Sequence, residues 1–347
     1  MRKNIFHITP IGKGYNIGNF AISFSVRAWI KKIHPSSNII TIPAFGDQSC
    51  GLTKSIIHQA NQSDSSILVG GGNLIENGEL NVDVNALESL QVPLVLFSLS
   101  RGDIYNNNLE LSRRTDVMPD DTIKALHHYA DASIARDEAT NNYYKSIGIN
   151  NSVMGACPTI FMNEWFDDKF HHIHDQDGVS YISVRNPGQM NIPLKQQLMI
   201  PKLITDTYAM LKEQGHKNVM MLCHDQRDIS FAESVDGIGY HYTSDIYEYL
   251  SLIKKARIIV SLRVHSSLPA AALKTPFINI SYDQRGVSLM RSIGLENWDI
   301  NLIHCDNVMH EIGNRLRSLD SIDIKHNKNV DLWNELNQLQ FEAISLL

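Results

Sequence analysis

Arg263 and His265, two residues apart at the end of an apolar run, are the strongest chemical pair in the chain. A guanidinium grips carboxylate or phosphate through two parallel hydrogen bonds and keeps its charge. An imidazole beside it can accept or give a proton near neutral pH. In extended backbone the two side chains would share one side, able to hold an anion and pass it a proton. A helix opening at His265 would attract an anion and favour the neutral ring. Three further clusters have the same character: Arg185 with Asn186, His224 with Asp225 and Asp228, and Tyr282 with Asp283, Gln284 and Arg285. Together they suit an anion-gripping pocket with acid–base capacity.

The first half of the chain offers softer, hydroxyl-binding candidates. Asn16 and Asn19 follow Gly12-Lys13-Gly14-Tyr15 and precede a helical pattern, whose opening amides could meet an anion or a sugar. Gly70-Gly71-Gly72-Asn73 implies close approach of backbone to a ligand or to a neighbouring loop. Arg101 sits in the polar tip Ser98–Asp103, and Arg136 in Arg136-Asp137-Glu138. That last arginine either pins a loop through an ion pair or reaches a cleft.

What must position these groups is an alternation of short apolar runs with helical stretches. Strands are predicted at Asn4–Ile8, Asn38–Ile42, Ser66–Val69, Pro93–Ser98, Ala132–Ala135 and Ser152–Gly155, and again at Val179–Val184, Asn218–Cys223, Gly239–Tyr242, Arg257–Leu262, Pro276–Ile280 and Asp299–Ile303. Helices are predicted between them, among them 18–33, 193–215 and 266–274. Runs apolar on both faces belong in parallel sheets covered by helices on both sides. The expected class is α/β, with two Rossmann-like domains facing across a cleft. The predicted division is residues 1–165, a linker at 166–178, residues 179–320, and a C-terminal helix at 321–347 that packs back on the first domain or forms an interface. Ligands in such sheets collect beyond the carboxyl ends of strands, where the clusters above fall.

Composition narrows the function. The 347 residues carry 31 Lys+Arg against 37 Asp+Glu, a net charge of −6, which disfavours a dedicated nucleic-acid binder. No apolar stretch reaches the roughly 20 residues of a membrane span. Arg2-Lys3 is followed by Pro10 and Gly12 before any apolar signal core develops, so the chain reads as unexported. The four cysteines are scattered, without C-x-x-C, and are expected to be reduced. His171, His172 and His174 lie among Asp167, Asp168, Asp175 and Asp177. Without a regular element to aim them, they read as a solvated linker rather than a metal site.

With these residues in view, the sequence resembles the polysaccharide pyruvyl transferase family. The matching marks are Asn16-Ile17-Gly18-Asn19, Gly70-Gly71-Gly72-Asn73, Ala135-Arg136-Asp137-Glu138, His224-Asp225-Gln226-Arg227-Asp228, Ser261-Leu262-Arg263-Val264-His265 running into Ala270–Pro276, and Tyr282-Asp283. The resemblance implies a GT-B-like fold and transfer of a pyruvyl group from phosphoenolpyruvate to two hydroxyls of a sugar or glycan, lipid-linked forms included. It implies no cofactor and no metal, and a cytoplasmic location, at most peripheral to the inner face of the membrane. By motif, His265 and Arg263 would be catalytic. Arg185, Arg263, His224, Tyr282 and Arg285 would bind the donor. Asn16, Asn19, Gly71, Gly72, Asn73 and Arg101 would bind the acceptor. Where relatives often carry G-Q-[GS]-x-G-P this chain has Ser98–Asp103, and Gln284 or Arg285 replaces a usual lysine. Two alternatives stay open at this stage: a glycosyltransferase using a nucleotide sugar, and a non-catalytic sugar- or anion-binding relative.

Overall fold

Apolar runs too short for membrane or coiled coil have one economical way to hide both faces, which is to pair in parallel and take helices on either side. The computed structural model, which describes residues 2–11, 16–166, 178–318 and 329–347, does this twice. The first sheet contains β1 (Asn4–Thr9), β2 (Asn38–Pro43), β3 (Ser65–Gly72), β4 (Leu94–Leu99), β7 (Ala132–Ala135) and β8 (Ser152–Met154), in the order β2-β1-β3-β4-β7-β8. A small antiparallel hairpin, β5 (Ile104–Tyr105) with β6 (Leu111–Ser112), interrupts the count. The second sheet contains β9 (Ser180–Val184), β10 (Val219–Cys223), β11 (Tyr240–Tyr242), β12 (Ile258–Ser261), β13 (Phe277–Ser281) and β14 (Asp299–Asn301), ordered β11-β10-β9-β12-β13-β14. Every residue of β3, β4, β9, β12 and β13 is buried, as strands covered on both faces require.

The two orders place the site. In each sheet the winding reverses beside the first strand, and the crevice beyond that reversal is where a ligand can enter. In the first sheet it lies between β1 and β3, whose ends lead to Asn16 and Asn73. In the second it lies between β9 and β12, whose ends lead to Arg185 and to Arg263 with His265.

The two sheets are bridged by the helix Val330–Ser345. Trp333 Nε1 donates to Ile293 O at 2.8 Å in the second half, while Gln340 Nε2 donates to Ala156 O at 2.9 Å in the first. His34 Nε2 lies 2.9 Å from Ile344 O. All four cysteines are free thiols, and three are buried.

Three local differences from expectation have physical reasons. The single helix predicted over 193–215 is two, Leu194–Gln197 and Ile200–Glu213, because Pro201 cannot supply an interior amide and instead occupies the second helix's first turn. A helix not predicted, Gln226–Glu233, is nucleated by a capping box between Asp225 and Asp228. Glycine at 70 and 71 answers close packing against β4 and Ile22, and Gly72 stands at a positive φ of 102°. A Cβ at Gly70 would lie 1.9 Å from Phe97 O, and one at Gly71 would lie 3.2 Å from Ile22 Cγ2. The predicted 166–178 linker with its histidines, and Gly12–Tyr15, fall almost wholly outside the described residues.

Gly70→Ala should therefore cost at least about 3 kcal/mol, since backbone rather than a flexible side chain occupies the space. Urea unfolding of the variant checks this, and a midpoint equal to wild type contradicts it.

Candidate functional site

Two switch points face each other, and between them lies a cavity of about 460 Å³. From the first half it is lined by Asn16, Asn19, Asn73, Asn77, Glu79, Arg114 and Arg136, and from the second by Arg185, His224, Arg227, Arg263, His265, Tyr282, Asp283 and Arg285, among others. Six arginines thus share one cleft.

Most of them are neutralised locally. Arg263, at the N-cap of the helix Val264–Ala272, forms an ion pair with fully buried Asp228 and donates through Nε to Val184 O at 3.2 Å. Arg285 divides between the domains, with one nitrogen 2.7 Å from Glu76 and another 2.6 Å from Asp283. Glu76 is fully buried and also accepts from Gly102 N at 2.7 Å. Arg227 bonds to Asp225 through two nitrogens, at 2.8 and 2.6 Å, and Arg114 lies 2.6 Å from Asp116. Arg185 differs. Its Nε donates to Gln189 O and its Nη1 to Tyr282 Oη, both at 3.1 Å, and no carboxylate among the described residues pairs with it. Burial, together with the charges of Arg263 and Arg285, lowers its proton affinity, only partly offset by Tyr282. Arg136 is also weakly held, its Nε 3.6 Å from Asp137 without a hydrogen bond.

The histidines are kept neutral. Burial, and then the guanidiniums of Arg136, Arg263 and Arg285, depress His265 to about 3. Its Nε2 is buried without a partner. His224, fully buried, is held well below the ordinary imidazole range by burial and by Arg263, His265 and Arg185. Its Nε2 sits 2.6 Å from Ser266 Oγ, 3.0 Å from Ser183 Oγ and 3.2 Å from Tyr249 Oη. Tyr249 in turn donates to His265 O at 2.6 Å, so one buried network fixes the ring of His224 and the backbone of His265.

The Asn16–Asn19 motif acts across the domain boundary. Asn16 caps the helix Ile17–Ile33 by accepting from Gly18 N at 3.0 Å, and Ile17 N donates to His224 O at 2.9 Å. These opening amides are consumed by the protein, so they are not the ligand-binding amides expected. A Cβ at Gly18 would come within 2.9 Å of His265 Cβ, which explains why glycine stands there.

Of the sequence-derived candidates, His265, Arg263, Arg185, His224, Tyr282, Arg285, Asn16, Asn19 and Asn73 all line this cavity. Gly71 and Gly72 do not, being buried strand residues packed under Ile22. Arg101 does not either. It is buried with its guanidinium 4.2 Å from the Tyr143 ring centroid and 2.7 Å from Asp103, a position set by packing within the first domain. The expected extended geometry at 263–265 is replaced by a helix beginning at Val264, which turns Arg263 toward Asp228 and leaves His265 in the first turn. Asn77 and Glu79 were missed because they lie well past the end of β3, and Arg114 because β6, the strand it follows, has only two residues and no apolar run to mark it. Arg136 stands at a strand tip and had the signal.

A family profile described as polysaccharide pyruvyl transferase matches residues 16–284. No curated protein matches the chain. Among solved structures, UDP-N-acetylglucosamine 2-epimerase from Rickettsia bellii superimposes with a TM-score of 0.57 at 12% identity, covering 100% of this chain and 96% of its own. The S. aureus MnaA–UDP complex gives 0.55 at 11% identity, covering 100% and 92%. The wall teichoic acid polymerase TagF gives 0.50 at 12% identity, covering 99% and 88%. At these identities the likeness concerns the fold, two Rossmann-like domains in a GT-B-like arrangement.

Buried neutral histidines set an acid limit on the fold. His7, depressed to about 4 mainly by burial, and His224 stay unprotonated when folded but take a proton at about 6.5 when unfolded. Their stabilisation is complete above pH 6.5 and declines as pH falls toward 4, by up to about 1.4 kcal/mol per pH unit each. Melting temperature should drop steadily from pH 7 to 5, and His7→Gln should flatten that slope; a level profile would contradict the assignment.

Proposed function

The chain belongs to the polysaccharide pyruvyl transferase family, and from that premise we propose that it moves the pyruvyl unit of phosphoenolpyruvate onto two hydroxyls of a sugar, forming a ketal in a surface polysaccharide or its precursor. The observation that carries the choice of donor is Arg185, a cavity guanidinium without a carboxylate partner among the described residues, in the same cavity as Arg136, Arg263 and neutral His265. A small ligand bearing both carboxylate and phosphate supplies the charge this arrangement lacks. Arg185 and Arg263 clamp the donor, with Arg136 contributing from the other domain.

The depression of His265 gives the chemistry an order. Burial first, and then the field of the arginines, keep its imidazole unprotonated. A polyanion drawn in by those arginines offsets their share of that depression, so donor binding favours the protonated ring. The imidazolium then gives its proton to the methylene carbon of the donor while the first sugar hydroxyl adds to the central carbon. The hydroxyl's proton returns to the imidazole. Phosphate leaves as the second hydroxyl adds, and carries away that hydroxyl's proton. Guanidiniums fixed in advance stabilise the charge that develops on the departing phosphate. Asn16, Asn19 and Asn73 lie on the opposite wall, where amide side chains suit sugar hydroxyls.

The fold likeness to UDP-bound enzymes supports a second reading, a glycosyltransferase whose cleft arginines hold a nucleotide diphosphate. One assay separates the two. Incubation with phosphoenolpyruvate and a panel of glycosides should release inorganic phosphate, and phosphoenolpyruvate at 100 times its Kd should stabilise the protein by about 2.7 kcal/mol. His265→Asn should cut turnover by about 10²–10⁴-fold, and Arg185→Gln should chiefly raise the donor KM. Consumption of UDP-sugars with phosphoenolpyruvate untouched overturns the proposal, as does near-normal turnover by His265→Asn.

A further inference from the structure

The three most exposed large apolar side chains among the described residues are near neighbours: Leu194 at 65%, Leu198 at 72% and Met199 at 61%, with Leu346 next at 48%. They occupy the step that Pro201 forces between the helices Leu194–Gln197 and Ile200–Glu213. The step is a firm shelf. Ile192 and Ile200 on either side of it are buried, and Gln197 Nε2 donates to Ile192 O at 2.8 Å and to Met190 O at 3.4 Å. It also adjoins the cleft, because Gln189 and Asn191, two of the cavity-lining residues, immediately precede it.

The charge around the shelf runs against that of the whole chain. No Asp or Glu occurs from residue 185 to residue 205, although the chain carries a net charge of −6. Lys195 stands exposed between the leucines, while exposed Lys202 pairs with Asp206 at 2.7 Å. Three side chains present only a few hundred Å² of apolar surface, well short of the roughly 800 Å² per partner that a stable self-interface buries. Protruding leucine and methionine around a lysine fit a bilayer interface, where apolar side chains enter the acyl boundary and a cation stays among anionic headgroups.

We propose that Leu194, Leu198 and Met199, with Lys195, form an interfacial anchor that seats the protein on an anionic lipid surface beside the mouth of its cleft. The anchor is a property of the surface and does not depend on which group the cleft transfers.

Co-sedimentation with phosphatidylcholine vesicles, with and without about a third phosphatidylglycerol, tests it. Wild type should pellet with the anionic vesicles and largely stay in the supernatant with phosphatidylcholine alone. The surface variant Leu194→Ser/Leu198→Ser/Met199→Ser should lose binding by at least about tenfold. Lys195→Gln should weaken binding by about fivefold, and raised salt should weaken it further. Melting temperature and any turnover with a soluble glycoside should be unchanged in the triple variant, which separates failure of the anchor from failure of the transferase reading. Three results overturn the proposal: no binding by wild type, equal binding by the triple variant, or a wild-type dimer in size-exclusion chromatography that the triple variant abolishes.

Discussion

Six guanidiniums around one cavity repel one another, and the rest of the site is arranged by the need to contain that repulsion. Two like charges about 8 Å apart at an effective dielectric near 20 oppose each other by about 2 kcal/mol, so an unbalanced cluster would cost a large part of a domain's stability. The protein places a carboxylate against nearly every arginine: Asp228 on Arg263, Glu76 and Asp283 on Arg285, Asp225 on Arg227 and Asp116 on Arg114. Fully buried Glu76 and Asp228 are tolerable only because of those partners. Compensation stops short at Arg185, whose partners are a carbonyl and a phenol. The residual charge is therefore directed rather than spread, and burial together with the same field lowers the proton affinity of His265.

The second constraint is the fixed spacing of the two sheets. The carbonyl of His224 takes Ile17 N–H, and Gly18 admits the side chain of His265. On the other side of the cleft, Asp103 N donates to Gln284 Oε1 at 2.8 Å, and Ala139 N donates to Ser288 Oγ at 2.9 Å. The helix Gln284–Ser292 is thus tied to first-domain loops while its own domain carries Arg185 and Arg263. Arg285, expected to grip a donor directly, is largely committed to this tie: its charge is already met by one carboxylate from each domain.

Much of this could be seen in the sequence because strand ends are where α/β sheets expose function. Arg185, His224, His265 and Tyr282 each follow an apolar run, so the rule found them before their mutual geometry was known. The rule failed where local packing outweighed it. Gly71 answers crowding by Ile22 and β4, Gly72 a positive φ, and Arg101 satisfies Tyr143 and Asp103, needs that a strand tip shares with a binding site. Asn77, Glu79 and Arg114 carry no such marker. They reach the cavity from two loops that hold each other, Asn77 N–H donating to Asp116 O and Met118 N–H to Ile75 O, contacts between distant segments that no local pattern encodes. The helix Gln226–Glu233 was legible in principle through the Asp225–Asp228 spacing, but its few apolar residues gave too weak a period.

The helix Val330–Ser345 limits how the cleft can breathe. Because Trp333 is bonded to one half and Gln340 to the other, separating the halves along the line between them would break a hydrogen bond at one end of a stiff rod. A swivel about the rod's own axis strains neither attachment. A twist of one lobe over the other, with the rod as pivot, must still release the ties of Ile17 to His224 and of Arg285 to Glu76.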